Sequence, residues 1–232
     1  MRASGHDTRP TALAKPNHPP LRCEDEGGAD MLKLYFAPRS RALRVAWLLE
    51  ELELDYDLVR YDLGDPAMRT PEFRAIHPMG RVPVLEDGDV RIMESGAILE
   101  YLLARHGKGR FRPAPDSIHF PTYLQWLHYA EGMIMPPINS YMVETFFLPP
   151  ERQSEVHAKR AKKLLGQMLV AVDAALDGRD YLAGDFSAAD IMTGSAVISA
   201  QGIGVDMEAL SRLGAYVDRL RARKAYQKAA AM

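Results

Sequence analysis

Ser40, Ser95 and the Val82-Pro83 pair are the positions whose residue types and spacing could do chemistry. Ser40 follows the apolar run Leu32-Lys33-Leu34-Tyr35-Phe36 and stands at the entry to a helix-like stretch. A hydroxyl beside the unpaired N–H groups of a helix start favours an anion over its protonated form. The plainer reading makes Ser40 a helix cap. Glu94-Ser95 opens another helix-like stretch, where the first N–H groups and the positive end of the helix dipole suit a carboxylate. A serine there can also simply cap, for about 1 kcal/mol, and the two roles coexist. Pro83 opens the strand-like run Val82 to Glu86, which is unusual because proline cannot donate to a β-ladder. It is either an edge-strand proline or a cis proline that bends the chain toward a ligand. Two other features point away from chemistry. Ser187-Ala188-Ala189-Asp190 is a capping box with Asp in the Glu/Gln place, a structural device. Cys23 is the single cysteine, which rules out an internal disulfide, a four-cysteine metal site and a Cys-x-x-Cys pair.

The elements around these residues follow two grammars. From Met31 to Gly109 short strands alternate with helices. Leu32–Phe36 reads as a strand, and Val45, Leu48, Leu49 and Leu52 make one apolar helical face. Tyr56–Tyr61 alternates as a second strand, so the opening is a right-handed unit with parallel strands. A short helical or turn segment follows Pro71. Val82–Glu86 and Val90–Met93 are the next strands, joined by the hairpin signal Asp87-Gly88. Glu94–His106 is helical, with Gly107 as its stop. This β-α-β-(α)-β-β-α order is the thioredoxin-like plan, and it shifts the reading of Pro83 from edge to cis. After Pro113 and Pro115 strands disappear. Helices are expected from Thr122 to Met135, broken by Pro136-Pro137, then over Glu151–Asp177, Ala188–Gln201 and Met207–Arg221. The long helix has the inner face Leu165, Met168, Leu169, Val172 and Leu176. Its cluster Lys159, Arg160, Lys162 and Lys163 reads as a solvated face rather than a nucleic-acid patch.

Over 232 residues, 47% are hydrophobic and 26% charged, so the chain has the means for a real core. The 29 basic and 31 acidic side chains leave a net charge of −2, which gives no global attraction to nucleic acid or an anionic membrane. No apolar run approaches the ~18 residues of a bilayer span. Residues 1–30 are polar, proline-rich and aperiodic, and read as a disordered tail. They lack the apolar stretch of a signal peptide and carry acids that a mitochondrial leader avoids, so a cytoplasmic location is expected.

His77-Pro78-Met79-Gly80-Arg81-Val82-Pro83-Val84-Leu85 and Met93-Glu94-Ser95-Gly96-Ala97-Ile98-Leu99-Glu100-Tyr101-Leu102 resemble the glutathione S-transferase family. Tyr181-Leu182-Ala183-Gly184-Asp185-Phe186-Ser187-Ala188-Ala189-Asp190-Ile191 is similar to that family's helical C-terminal domain. The resemblance covers essentially Met31–Met232. Pro38-Arg39-Ser40-Arg41-Ala42, with Trp126-Leu127-His128-Tyr129-Ala130-Glu131-Gly132, looks most like the bacterial and fungal serine-type branch.

The resemblance implies an α/β thioredoxin-like, glutathione-binding N-terminal domain at 31–110 and an all-helical C-terminal domain at 116–232. It implies that Val82, turned by cis Pro83 and flanked by Arg81, pairs its backbone with the cysteinyl part of glutathione. Ser95 would donate to the γ-glutamyl carboxylate, and Glu94 would accept from the ammonium. The family's thiol-activating residue falls at Ser40. Arg41 is the next candidate, as a cationic neighbour of the thiolate or merely an exposed helix arginine. A serine in place of cysteine argues against the thiol-transfer branch. The second substrate would lie over residues 122–142, with Tyr129, Met133 and Met135 as an adaptable wall or as core. The implied activity is conjugation of the glutathione thiolate to small, largely apolar electrophiles by a homodimer, with glutathione as co-substrate and no metal. The alternatives are a glutathione-dependent peroxidase or isomerase, and a non-catalytic binding member.

Overall fold

The computed structural model describes residues 31–232; the tail reading and Cys23 lie outside the described residues. β1 (Leu32–Phe36) leads into α1 (Ala42–Leu52), and β2 (Tyr56–Arg60) returns parallel to β1 with Leu34 opposite Leu58. After a 3-10 turn at Pro66–Arg69, α2 (Pro71–Ile76) is capped by the Thr70 hydroxyl, which accepts the Phe73 N–H. β3 (Val84–Asp87) runs antiparallel to β1, and β4 (Val90–Met93) runs antiparallel to β3 across a turn where Gly88 has φ 56°. The sheet order is β2-β1-β3-β4. β3 is therefore an interior strand, which removes the edge reading of Pro83. The proline precedes the strand, which begins only at Val84.

The period of two sorts the strands' side chains between two layers. Leu32, Leu34, Phe36 and Leu85 face α1 and α3 (Ser95–Arg105) and join the main core. Tyr35 and Val84 face the other way and pack with Met68 and Phe73. This is the thioredoxin-like layering expected. All the apolar positions assigned to α1 are buried: Val45, Leu48, Leu49 and Leu52. Gly107 does follow the end of α3, but without the left-handed backbone of a glycine stop. A Cβ there would collide with the Leu103 carbonyl, and the positive φ angles fall on Lys108 and Gly109.

The rest is helical. α4 (Phe120–Tyr129) passes through a wide π turn at Ala130–Ile134 into α5 (Met135–Met142), and a second π turn, Val143–Phe147, ends the rod. Pro136 and Pro137 thus do not break the helix. The preceding π turn, closed by Met135 N–H to the Ala130 carbonyl, shifts the hydrogen-bond frame, so the prolines enter as the first residues of a new helical segment. α6 (Glu155–Ala175) starts at a Ser154 cap, later than expected, after a 3-10 turn at Pro150–Arg152. α7 (Ala188–Gly202) is buried along most of its length, and α8 (Ser211–Arg221) begins four residues after the expected Met207. The sequence reading missed α9 (Lys224–Ala230), which clamps onto α1. There Tyr226 meets Trp47 edge-on at 4.9 Å, and Arg223 Nε and Nη2 reach Glu51 at 2.6 and 2.8 Å. Buried residues of α1 and α3 are continuous with those of α4, α7 and α8, so α1 is gripped from both sides.

Candidate functional site

The turn from β1 to α1 is set by Arg39, whose φ of 59° swings the chain out of the strand. Ser40 follows. Its hydroxyl donates to the Ala37 carbonyl at 2.6 Å and accepts the Ala42 N–H at 3.1 Å. The oxygen therefore does cap the helix start, although the residue at the cap position is Arg41. The backbone N–H groups of Ser40 and Arg41 have no acceptor among the described residues. The turn thus presents a hydroxyl and two free N–H groups together. Tyr35, one strand residue away from this end, is no competitor. Its ring lies on the opposite face of the sheet, and its hydroxyl donates to Glu86 at 3.2 Å. Burial, with Glu86 adding to it, raises the pKa of that phenol.

The segment leading to Val82 is fixed by its own hydrogen bonds. The buried His77 accepts the Met79 N–H on Nδ1 at 3.1 Å, and its carbonyl accepts the Gly80 N–H at 2.8 Å. Burial lowers the pKa of His77, opposed by the charge of Glu94, which keeps Nδ1 available as an acceptor. Gly80 has φ 60°, and a side chain there would strike the Met68 carbonyl. The Val82–Pro83 bond is cis. Val82 is half-buried and outside the ladder, and its N–H and C=O have no partner among the described residues. Arg81 beside it is exposed.

Glu94 precedes α3 with φ 72° and ψ 112°, in the left-handed region, and caps nothing with its side chain. The N–H groups of Ser95, Gly96 and Ala97 are without acceptors among the described residues, and the first closing bond is Ile98 N–H to the Glu94 carbonyl at 2.9 Å. This is an open helix start with its dipole unspent. The exposed Glu94 carboxylate and the buried Ser95 hydroxyl flank it.

Sequence reasoning missed the group behind Ser95. Arg44 lies on the buried face of α1, 2% exposed, one and two turns before Leu48 and Leu52. Its Nη1 donates to Ser95 Oγ at 3.2 Å and to Glu131, and its Nε donates to Ser195 Oγ at 2.7 Å. Glu131, on the π turn, also accepts from Arg41 Nε with both oxygens at 2.9 Å. Arg41 is thus neither a free helix arginine nor free to serve an anion with Nε. Burial lowers the pKa of Arg44, and the Glu131 charge opposes it. Burial also pushes the Glu131 carboxyl up, but the hydrogen bonds and charges of Arg41 and Arg44 outweigh it and hold the pKa below the ordinary carboxylate value. A cation on an otherwise apolar helical stripe was the available signal, together with the acid in Trp126–Gly132.

The residues expected to face a second substrate separate in the structure. Tyr129 is half-buried, its hydroxyl tied to the Met168 carbonyl at 3.1 Å and its ring 4.8 Å from Trp126. Met133 is 41% exposed on the π turn, whereas Met135 is core. No group of three or more His, Cys, Asp or Glu among the described residues could hold a metal ion.

Comparison with known proteins places these features in a family context. Residues 31–104 match the glutathione S-transferase N-terminal domain. The chain is 35% identical over 202 residues to glutathione S-transferase 4 of Zea mays, covering 82% of this chain and 86% of that protein. It is 30% identical over 183 residues to glutathione S-transferase 3 of Schizosaccharomyces pombe, covering 74% and 75%. Among solved structures, it is similar to the theta class enzyme of Xanthomonas axonopodis pv. citri with glutathione bound. That match has 27% identity and a TM-score of 0.76 and covers 87% of this chain and 97% of that one.

Proposed function

The chain belongs to the glutathione S-transferase family, and from that premise we propose how its residues divide the work. It is a glutathione transferase, with glutathione as co-substrate. Glutathione lies extended from the start of α3 to the β1–α1 turn. Its γ-glutamyl carboxylate takes the open N–H groups of α3 and the Ser95 hydroxyl, and its ammonium meets Glu94. Its cysteinyl backbone pairs with the free N–H and C=O of Val82, as an added strand would, with Pro83 setting the direction and Arg81 flanking the contact. The observation that carries this reading is the pairing of an unfilled backbone edge at Val82 with an uncapped helix start at Ser95.

The thiol is ionised at the β1–α1 turn. A free thiol near pKa ~8.5 is mostly protonated at neutral pH. Ser40 directs its proton to the neutral Ala37 carbonyl, but a thiolate is the stronger acceptor, and a hydrogen bond to an ion is roughly twice as strong as a neutral one. The hydroxyl therefore turns to the sulfur, joined by the free N–H groups of Ser40 and Arg41. Arg41, bound to Glu131, adds positive charge at longer range. The thiolate then attacks a small, largely apolar electrophile, and the protein contributes ionisation and proximity. Met133 lines the second-substrate surface, and Tyr129 contributes its ring alone.

The working form is a cytoplasmic homodimer, with the sheet-bearing part of one chain against the helices of the other. Exposed apolar side chains on both parts, Met79 before β3 and Phe146 and Phe147 at the end of the α5 rod, suit such a pairing. Sedimentation as a monomer at micromolar concentration would contradict it. The function itself is tested by retention on immobilised glutathione together with turnover of a chlorodinitrobenzene. Retention with turnover is expected. Retention without turnover would leave a binding protein, and the absence of both retention and turnover would refute the reading.

A further inference from the structure

We infer that Arg44 is a positioning residue that aims the Ser95 proton at the γ-glutamyl carboxylate, and that Glu131, presented by the π turn, holds Arg44 in place. This rests on the reading that Ser95 donates to that carboxylate.

A buried guanidinium is costly, and an apolar side chain of similar volume is often equally stable in its place. Arg44 occupies a position on α1 where Leu48 and Leu52 serve packing well, so its charge calls for a separate reason. The reason lies in its hydrogen bonds. A hydroxyl has one proton and accepts with its lone pairs. When Arg44 donates to the oxygen, the proton must point elsewhere. Ser195, in the same cluster, already illustrates this. It accepts from Arg44 Nε at 2.7 Å and sends its own proton to the Met192 carbonyl at 3.0 Å. Ser95 accepts from Arg44 Nη1 at 3.2 Å, yet among the described residues no acceptor takes its proton. The two serines receive the same cation, and only the one at the open helix start has a proton left to give.

The charges reinforce the geometry. Arg41 and Arg44 share the single carboxylate of Glu131, so the cluster behind Ser95 keeps a net positive charge that favours a carboxylate in front of it. The π turn belongs to this arrangement. Single π turns inside α-helices recur at functional sites, and this one carries Glu131 to arginines 90 and 87 residues earlier in the chain.

The test is calorimetric titration with two ligands: glutathione, and its analogue lacking the γ-glutamyl carboxylate. Arg44→Met keeps the volume and removes the donors. It is expected to weaken glutathione roughly ten-fold or more, the worth of a hydrogen bond to a charged group, while leaving the analogue within about two-fold. Glu131→Gln keeps a hydrogen-bonding group and should produce a smaller loss with the same selectivity. Should Arg44→Met fail to fold, Arg44→Lys carries the comparison, since it keeps the charge but replaces the planar fork of donors with a single point donor group. Equal weakening of both ligands would make Arg44 a structural residue and overturn the inference, as would no weakening of either. Ser95→Ala separates the role of Arg44 from that of the binding site. If it discriminates between the ligands and the Arg44 variants do not, the inference fails and the binding reading stands. If Ser95→Ala does not discriminate, the binding reading fails and the inference falls with it.

Discussion

The starts of α3 and α7 are both buried, serine-bearing helix N-termini, and they are finished in opposite ways. At α7, Asp190 is fully buried and saturated by the chain itself. Its Oδ1 accepts the Leu182 N–H at 3.0 Å and the Tyr216 hydroxyl at 2.9 Å; its Oδ2 accepts the Ser187 N–H at 2.9 Å and the Ser187 hydroxyl at 3.2 Å. At α3, among the described residues, no side chain caps the helix, three N–H groups have no acceptor, and the serine beside them is supplied with a cation rather than a carboxylate. Closed networks of this kind stabilise a fold. An open one leaves donors that the described residues do not fill, as the binding reading proposed above requires. The sequence already marks the difference, since Ser187 has an acid three residues on and Ser95 does not; the fold adds what each serine receives from distant residues.

The largest expected effect falls on the closed end. Asp190→Ala strips four donors of their acceptor, two of them backbone N–H groups, and should cost about 3–5 kcal/mol in chemical denaturation. A loss below about 1 kcal/mol would mean that water replaces the carboxylate and that the network is not closed.

Next is the pH response of the same residue. Burial pushes the Asp190 pKa up from 3.8 to about 6, against the four hydrogen bonds that hold it down. The folded value exceeds the unfolded one, so its contribution is full below the unfolded pKa and is lost as pH rises through about 6. That loss amounts to at most about 3 kcal/mol. Glu131 has the opposite sign. Its folded pKa lies below the ordinary 4.5, so its contribution is present above that value and is lost as pH falls through the folded pKa. Stability measured against pH should therefore lose its decline between about pH 4 and 6 in Asp190→Asn, and lose a drop at lower pH in Glu131→Gln. Identical profiles for both variants and the parent would contradict the contrast.

Ser95→Ala is the smallest in stability and sharpens the comparison most. It removes one hydrogen bond from Arg44, for about 1 kcal/mol, but should weaken glutathione roughly ten-fold while leaving the bound thiol's pKa nearly unchanged. A fall in stability as large as that of Asp190→Ala, with affinity intact, would make α3 a second closed end.

The local parts of this arrangement are legible in the sequence. Apolar periodicity located α1, and the strand order turned Pro83 from an edge feature into a cis bond, which the structure has beside the unfilled backbone groups of Val82. Glu94-Ser95 was readable as a helix start because its helix follows a strand directly. What escaped was set by distant contacts. The Arg44–Glu131 pair spans 87 residues, and no local pattern reports it. Pro136-Pro137 carries a strong breaking signal, whereas the π turn that neutralises it has no compositional mark of its own. α9 is short and alanine-rich, and it is stabilised by Tyr226 against Trp47 and Arg223 against Glu51 rather than by its own periodicity. The seven-residue helix could not be distinguished from a turn by pattern alone.

In the function proposed above, the open end of α3 holds glutathione while the β1–α1 turn ionises it. The most direct measurement is the ultraviolet titration of bound glutathione thiolate in the parent protein and in Ser40→Ala. The parent should bind glutathione with a thiol pKa well below the free value near ~8.5. In Ser40→Ala that pKa should rise by about one to two units, with turnover falling in step and affinity changing no more than a few-fold. An unchanged thiol pKa and unchanged turnover would contradict it, leaving Ser40 a helix cap and the ionisation to Arg41 or to the backbone N–H groups of the turn.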